Sequence, residues 1–310
     1  MSPTKPAARI ALVLGGGAAR GWAHIGVIRK LRAHDIPIHA VCGSSIGALV
    51  GGAFAAGHLE ALADWVQALD RVDVVRLLDP TLVGGGFVQG TRLMEVMVEF
   101  VPSITIEELE IPFACTATDL RSGREIWIRE GSLSEAVRAS IALPGLFTPV
   151  RRKGRWVADG GLCNPVPVSL ARTFDVDWVL AVNLNSGIVG RHLGGPEETS
   201  LKSEALQDGL QRITTNLPAD WAARIRNLVT PGSDHERSPG LLDVTATAIN
   251  IMQDQITRSR LAGDPPDVII APRLSDIALM DFHRAAPAIA AGEKAAENAI
   301  PTISALLEGD

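Results

Sequence analysis

The sequence predicts an α/β fold, a three-layer α/β/α sandwich with a mainly parallel central sheet. The apolar run at 10–14 is followed directly by three glycines, and the short run at 39–43 ends at Gly43; both are typical of buried strands. Each run is followed by a helical pattern, at 22–31 and at 46–56. A strand–helix–strand–helix order favours parallel strands, because the helix between them returns the chain to the same end of the sheet.

The rest of the chain continues this alternation. Further strands are predicted at 111–117, 125–128, 178–183 and 268–271, with a hairpin over 147–158. Further helices are predicted at 134–141 and 285–307, and we expect the second to break near Pro301.

Domain organisation follows from where the pattern is strong. Between 184 and 241 the periodicity weakens, and glycine, proline, serine and mixed charges dominate. We predict a single domain over 1–310. Its parts are a core at about 10–184, a variable loop or lid excursion at 185–240, and a C-terminal strand and helices at 241–310.

Composition restricts the possible partners and the compartment. The 310 residues carry a formal net charge of −6, which gives no basic field to attract nucleic acid. The cysteines, Cys42, Cys115 and Cys163, show no paired spacing and are expected to be reduced thiols. The longest apolar run, at 46–57, is well short of the ~20 residues that a membrane helix needs. We therefore expect a cytoplasmic protein, with any membrane contact peripheral.

A G-x-S-x-G pentapeptide runs from Gly43 to Gly47, with Ser45 at its centre. A predicted strand precedes it and an apolar helix follows, which is the setting of a nucleophile elbow. The small flanking residues allow a tight turn, and the helix N-terminus favours developing negative charge beside the hydroxyl. Without that chemistry, the same residues would form a small-residue turn with a serine cap.

A glycine-rich loop, 15–21, lies between the first strand and the first helix. Its backbone N–H groups are suited to stabilise an oxyanion. The alternative is a dinucleotide-binding G-x-G-x-x-G loop. However, Arg20 occupies the place of the third glycine, and the nearest acid, Asp35, ends a helix rather than the second strand.

Asp159, Gly160 and Gly161 follow the predicted strand that ends at 158. An acid at the end of a strand, flanked by small residues, can approach another group closely. There it could accept the Ser45 proton and return it to a leaving group, provided that burial raises its pKa. On its own, Asp-Gly-Gly is more typical of a turn.

These three motifs, in this order, resemble those of the patatin-like phospholipases, and especially the bacterial RssA-type branch. Matching stretches are 17–26, 139–147, 159–167, 262–267 and 281–285. The resemblance implies a patatin-like fold and hydrolysis of lipid acyl esters by a serine–aspartate dyad. It implies no metal and no histidine in the catalytic pair. We expect no cofactor, and the sequence does not identify a protein partner.

Residue by residue, the resemblance makes Ser45 the nucleophile and Asp159 its base. It places the oxyanion hole at the backbone of Gly16, Gly17 and Ala18, with Arg20 close by. The family pattern is often written G-G-G-x-[RK]-G, and Ala18 stands where its third glycine is expected. The amide donor is kept there, but a methyl group is added beside the site.

Two other functions stay open. His283 follows Asp159 in the chain, so a triad of Ser45, Asp159 and His283 would have the order found in ordinary α/β-hydrolases. Alternatively, the protein binds a partner or a lipid and hydrolyses weakly or not at all.

Two further features have a structural and a functional interpretation. His24 follows the glycine loop and is more typical of a structural histidine than of a catalytic one. One helical face over 217–228 carries Leu217, Trp221, Ile225 and Leu228. Such a face is usually core, and the alternative is contact with a membrane surface.

Overall fold

The computed structural model describes residues 8–77, 86–88, 96, 100–102, 104–186 and 241–308. In this part of the chain, ten strands and eight α-helices are present. The strands are β1 (Ile10–Leu14), β2 (Ala40–Ser44), β3 (Gly86–Val88), β4 (Phe113–Asp119), β5 (Glu125–Ile128), β6 (Gly145–Phe147), β7 (Val150–Arg152), β8 (Arg155–Asp159), β9 (Trp178–Val182) and β10 (Val268–Ile270).

The helices lie on both faces of the main sheet, which confirms the predicted α/β architecture. They are α1 (Ala23–Ala33), α2 (Ile46–Ala55), α3 (Leu59–Ala68), α4 (Arg71–Leu77), α5 (Leu133–Ser140), α6 (Val168–Ala171), α7 (Leu241–Gly263) and α8 (Ala285–Glu308). Short 3₁₀ helices occur at Ala18–Trp22, Ile106–Glu108 and Gly160–Leu162. None of the described helices is both long enough and apolar enough to cross a membrane.

The main sheet has eight strands and is mostly parallel, as the sequence predicts. Its order is β10-β9-β1-β2-β4-β8-β7, with β5 paired to β4 outside this path. The first five strands run parallel, whereas β5, β7 and β8 pair antiparallel with their neighbours. Strands β3 and β6 form a separate parallel pair.

Both faces of β1 and nearly all of β9 are buried, which agrees with their unbroken apolar sequences. In β1, Leu12 belongs to a large apolar cluster on one face, and Val13 belongs to a smaller one on the other. Helix α2 is buried along its whole length, as its small apolar sequence predicts.

Helices α1 and α8 pack closely through two glycines. A Cβ on Gly26 would lie 2.0 Å from the Ile289 carbonyl oxygen, and one on Gly292 would lie 1.9 Å from that of Ala23. Any side chain at either position would therefore separate the two backbones.

The predicted break at Pro301 is wrong, because α8 continues through it to Glu308. Pro301 is exposed, while Ala296 before it and Ile303 after it are buried in the core. Packing on both sides outweighs the one hydrogen bond that proline removes. The hairpin is also shorter than predicted, since Phe147 pairs in β6 instead. The excursion at 185–240 and the helical face at 217–228 lie outside the described residues, apart from 185 and 186.

Candidate active site

Strand β4 brings the carboxyl ends of β2 and β8 together. Ser44 at the end of β2 pairs with Thr116 of β4, and Asp159 at the end of β8 pairs with the next residue, Ala117. Strand β5 occupies the opposite edge of β4 over these positions. Because β2 runs parallel to β4 and β8 antiparallel, β2 and β8 meet head-on along one edge.

Ser45 lies in the sharp turn between β2 and α2. Its φ of 56° and ψ of −126° are strained for a residue with a side chain. The turn depends on Gly43 and Gly47: a Cβ on Gly43 would lie 2.4 Å from Cα of Ala48, and one on Gly47 would lie 2.0 Å from the Leu14 carbonyl oxygen. The structure therefore has a tight turn between strand and helix at this motif, with Ser45 at the N-terminus of α2.

The Ser45 hydroxyl donates a hydrogen bond to Oδ2 of Asp159, with an Oγ–Oδ2 distance of 2.5 Å. The backbone N–H of Ser45 donates to Oγ of Ser140, at the end of α5, at 2.9 Å. The side chain and the backbone of Ser45 are thus held by two different elements. This geometry allows direct proton transfer between the hydroxyl and the carboxylate.

Asp159 is completely buried. Its second oxygen, Oδ1, accepts a hydrogen bond from the Gly161 amide at 2.7 Å. Burial raises the pKa of Asp159 to about 7, and the hydrogen bonds from Ser45 and Gly161 oppose that increase. The carboxyl group can therefore exchange a proton near neutral pH, which an ordinary aspartate does not.

The glycine loop lies directly beside Ser45. A Cβ on Gly16 would be 3.4 Å from Cβ of Ser45, an ordinary van der Waals distance, so the Gly16 backbone passes next to the serine side chain. The Gly16 amide donates to the Pro165 carbonyl at 2.9 Å and is not free. Among the described residues, nothing accepts a hydrogen bond from the amides of Gly17 and Ala18. Gly17 and Ala18 are therefore the candidate donors to an oxyanion.

Arg20 is fully buried behind this loop. Its Nε donates to the Gly17 carbonyl at 3.2 Å, and one terminal nitrogen donates to Oδ1 of Asn250, in α7, at 2.6 Å. The other terminal nitrogen has no partner among the described residues. Burial lowers the pKa of Arg20 to about 10, so the side chain is still charged at neutral pH.

A family model described as patatin-like phospholipase matches residues 12–172, more than half of the chain. The sequence is also 34% identical to an uncharacterized NTE family protein of Mycobacterium tuberculosis, over 94% of this chain and 91% of the relative. This chain belongs to the patatin-like phospholipase family. The family prediction made from the motifs is confirmed, while the RssA-type branch stays a prediction.

Two further similarities extend beyond mycobacteria. The patatin-like phospholipase domain-containing protein 6 of Mus musculus is 32% identical over 184 residues, which cover 57% of this chain and 14% of the relative. The crystal structure of VipD from Legionella pneumophila aligns with a TM-score of 0.39 and 13% identity, over 99% of this chain and 78% of that one. Family membership supports the general activity of a lipid acyl hydrolase.

His283 and His24 of this patatin-like chain both have hydrogen-bond partners away from the Ser45–Asp159 contact. Nε2 of His283 accepts a hydrogen bond from Nε of Arg71 at 3.3 Å. His24 is buried, and its Nε2 donates to the Gly15 carbonyl at 2.7 Å. Burial lowers the pKa of His24 to about 4, so it is neutral and supports the glycine loop.

Two observations on the described residues of this patatin-like chain concern cofactor and metal sites. Asp35 lies in the turn after α1 rather than at the end of β2, where a ribose-binding acid would be. No group of three or more histidine, cysteine and acidic side chains in the described part of the chain is arranged to hold a metal ion.

Sequence reasoning missed two side chains that hold the patatin-like site. Ser140 fixes the Ser45 amide, and it lies in one of the stretches that carry the family resemblance, 139–147. Asn250 binds Arg20 from 230 residues away. For Asn250 the sequence offered no signal, because a polar residue in a helix is ordinarily exposed.

Proposed function

We propose that this protein hydrolyses acyl esters of lipids with Ser45 as nucleophile and Asp159 as the only side-chain base. The observation that carries the proposal is the 2.5 Å contact between Oγ of Ser45 and Oδ2 of Asp159. The raised pKa of Asp159, about 7, supports its role as a proton acceptor at neutral pH.

In the acylation step, Oγ of Ser45 attacks the ester carbonyl carbon while its proton passes to Asp159. The negative charge that forms on the carbonyl oxygen is stabilised by the amides of Gly17 and Ala18. Gly16 leaves room for this oxygen, and Arg20 contributes positive charge from behind the loop. The carbon–oxygen bond to the alcohol then breaks, and Asp159 gives its proton to the leaving oxygen.

In the deacylation step, water attacks the acyl-enzyme, with Asp159 again accepting a proton. The tetrahedral intermediate collapses, the fatty acid leaves, and the proton returns to Oγ of Ser45. The cycle uses no metal or cofactor. A lipid ester is the proposed substrate class, reached by peripheral contact with a membrane surface.

The first test is labelling by a fluorophosphonate serine probe, read by peptide mass spectrometry, together with turnover of short p-nitrophenyl esters. We expect labelling at Ser45, loss of both signals in Ser45→Ala, and loss of turnover in Asp159→Asn. The matched control is Ser44→Ala. The Ser44 hydroxyl is buried and has no hydrogen-bond partner among the described residues, so its removal should leave turnover unchanged.

Full turnover in Ser45→Ala or Asp159→Asn would contradict the proposal. No labelling of folded wild-type protein would favour the weakly catalytic, lipid-binding alternative. For the triad alternative, the test is His283→Ala, in which we expect turnover to survive. A loss of kcat without loss of folded protein would assign His283 to the reaction.

A further inference from the structure

The Arg20 guanidinium is a buried cation with no counter-charge in the part of the chain that the structure describes. Its two hydrogen-bond acceptors, the Gly17 carbonyl and the Asn250 side-chain amide, are both neutral. No ion pair joins it to a carboxylate among the described residues, and no acidic group counteracts the effect of burial on its pKa. Burying an unpaired charge is costly, so this arrangement requires a compensating role.

The neutral partner Asn250 belongs to helix α7, and it lies on a buried face of that helix that is polar. Polar side chains, Asn250, Gln253, Asp254 and Thr257, are buried on the side that faces the site. Apolar ones on the same helix, Val244, Ile251 and Met252, are between 41% and 50% exposed. The polar side also reaches Gly161, where a Cβ would lie 2.6 Å from Nε2 of Gln253. The face of α7 that packs on the site is therefore polar, against the usual pattern of a helix in a globular protein.

We propose that Asn250 is a positioning residue for ester hydrolysis, which holds the Arg20 guanidinium beside the glycine loop without cancelling its positive charge. This inference rests on the proposed function. Arg20 in turn binds the Gly17 carbonyl, which belongs to the same planar peptide group as the Ala18 amide, and so fixes the direction of that amide. Asn250 thus acts on the oxyanion site through Arg20, and it does not touch substrate.

A neutral amide differs from a carboxylate at this position in a way that matters for the reaction. An aspartate has nearly the same size and would also bind the guanidinium, with a stronger, charge-assisted hydrogen bond. Its negative charge would, however, cancel the field of Arg20 where the oxyanion forms. In a buried site of low dielectric, that field is poorly screened and favours the transition state over the neutral ester.

The test compares Asn250→Asp with Asn250→Ala by kcat and KM on p-nitrophenyl butyrate, by the rate of fluorophosphonate labelling at Ser45, and by thermal midpoint. For Asn250→Asp we expect kcat to fall about tenfold or more at a nearly unchanged KM, with slower labelling. Its midpoint should equal or exceed that of wild type. For Asn250→Ala we expect a lower midpoint but a smaller loss of kcat, because Arg20 keeps its charge.

A purely structural role predicts the opposite order, with Asn250→Asp as active as wild type and Asn250→Ala the poorer enzyme, and that result would overturn the inference. Should Asn250→Asp fail to fold, the paired replacement of Arg20→Met with Asn250→Leu removes the cation and its partner together. We expect the same loss of kcat there, and wild-type kcat would again overturn the inference.

The wild-type protein distinguishes failure of the inference about Asn250 from failure of the proposed function. Wild type that labels at Ser45 and turns over ester, beside an equally active Asn250→Asp, would remove only the role of Asn250. Wild type that neither labels nor turns over ester would remove the proposed function and this inference with it.

Discussion

Asp159 combines two properties that are rarely found together in an aspartate, complete burial and a hydroxyl hydrogen bond at 2.5 Å. Burial disfavours its charged form and makes the carboxylate a stronger base. The hydrogen bonds from Ser45 and the Gly161 amide keep that form accessible. Under the proposed function, these properties let a single carboxyl group act without the histidine that most serine hydrolases place between acid and nucleophile.

The pH dependence of hydrolysis should follow this carboxyl group. Asp159 accepts a proton only when ionised, so kcat/KM should fall as the pH decreases below about 7. The measurement is p-nitrophenyl ester turnover from pH 5 to 9, with His283→Ala as the control. The control should keep the same acidic limb, and a profile that stays flat down to pH 5 would rule out Asp159 as the base.

Ala18 adopts a backbone conformation that suits glycine better. Its φ of 49° lies in the left-handed region, where a Cβ costs about 1–2 kcal/mol. This position is also the one where the family pattern usually has glycine. The departure seen in the sequence is therefore a local strain in the structure, next to one of the candidate oxyanion donors.

Ala18→Gly should raise the free energy of unfolding, by up to about 1 kcal/mol after the extra entropy of glycine in the unfolded chain. The neighbouring Ala19 is fully buried and has no positive φ. Ala19→Gly is therefore the matched control and should lower the free energy of unfolding. Urea unfolding of both variants gives the comparison. A loss of stability in Ala18→Gly would show that the methyl group contributes more packing than strain.

For individual residues, the sequence predicted those that belong to motifs. It missed those whose role depends only on contacts in the folded protein. Ser45 and Asp159 were found because tight turns need glycine at fixed offsets, and those offsets are visible in a sequence. The hydrogen bond from the Gly16 amide to the Pro165 carbonyl could not be predicted from the sequence, because it depends on how two distant loops pack together.

Among the helices and strands, α1 and α8 pack closely through glycines. Helix propensity alone would give the wrong sign for the effect of replacing them. Alanine normally stabilises a helix relative to glycine by about 1 kcal/mol. At Gly292, however, the added Cβ would lie 1.9 Å from the Ala23 carbonyl oxygen, which belongs to rigid backbone.

Gly292→Ala should therefore destabilise the protein, which reverses the sign expected from helix propensity. Gly263, at the end of α7, has nothing within 4 Å of its added Cβ, so Gly263→Ala is the control and should be neutral or slightly stabilising. Thermal midpoints of the two variants test the contrast. An unchanged midpoint in Gly292→Ala would mean that the two helices separate at little cost.

Element identity could be predicted largely from pattern, and element ends less well. Strand β1 and strand β5 have the predicted bounds, and for β1 the reason is a short apolar run that glycines end directly. The failure at Pro301 has a physical cause: propensity describes an isolated helix, whereas α8 is held on both sides of the proline by the core.

For the whole molecule, the raised pKa of Asp159 affects stability as well as activity. Between pH 4 and 7 the folded protein keeps the Asp159 proton, while the unfolded chain has already lost it. Folding therefore takes up a proton in this range, and the contribution of Asp159 to stability decreases as the pH rises to about 7.

The substitution Asp159→Asn removes the ionisable carboxyl group. With it go the loss of folding stability at neutral and higher pH and the proposed base. We expect the variant to be more stable than wild type at pH 8.5 and to lose most of that advantage at pH 5, where wild-type Asp159 is protonated in the fold. Thermal midpoints of both proteins at the two pH values give the comparison. Ser44→Ala serves as the control, and its difference from wild type should not change with pH. An advantage of Asp159→Asn that is equal at both values would assign the gain to packing.

The contact between Ser45 and Asp159 requires both β2 and β8 to be paired with β4. The order of synthesis of these strands therefore determines when the contact can form. Ser45 and Asp159 are 114 residues apart, so at 5–20 residues per second a ribosome adds Asp159 roughly 6 to 23 s after Ser45. Until β8 docks, the serine has no proton acceptor. Under the proposed function, hydrolytic power is acquired late and in one event, so that neither a nascent chain nor a partly folded one would cleave the lipids around it.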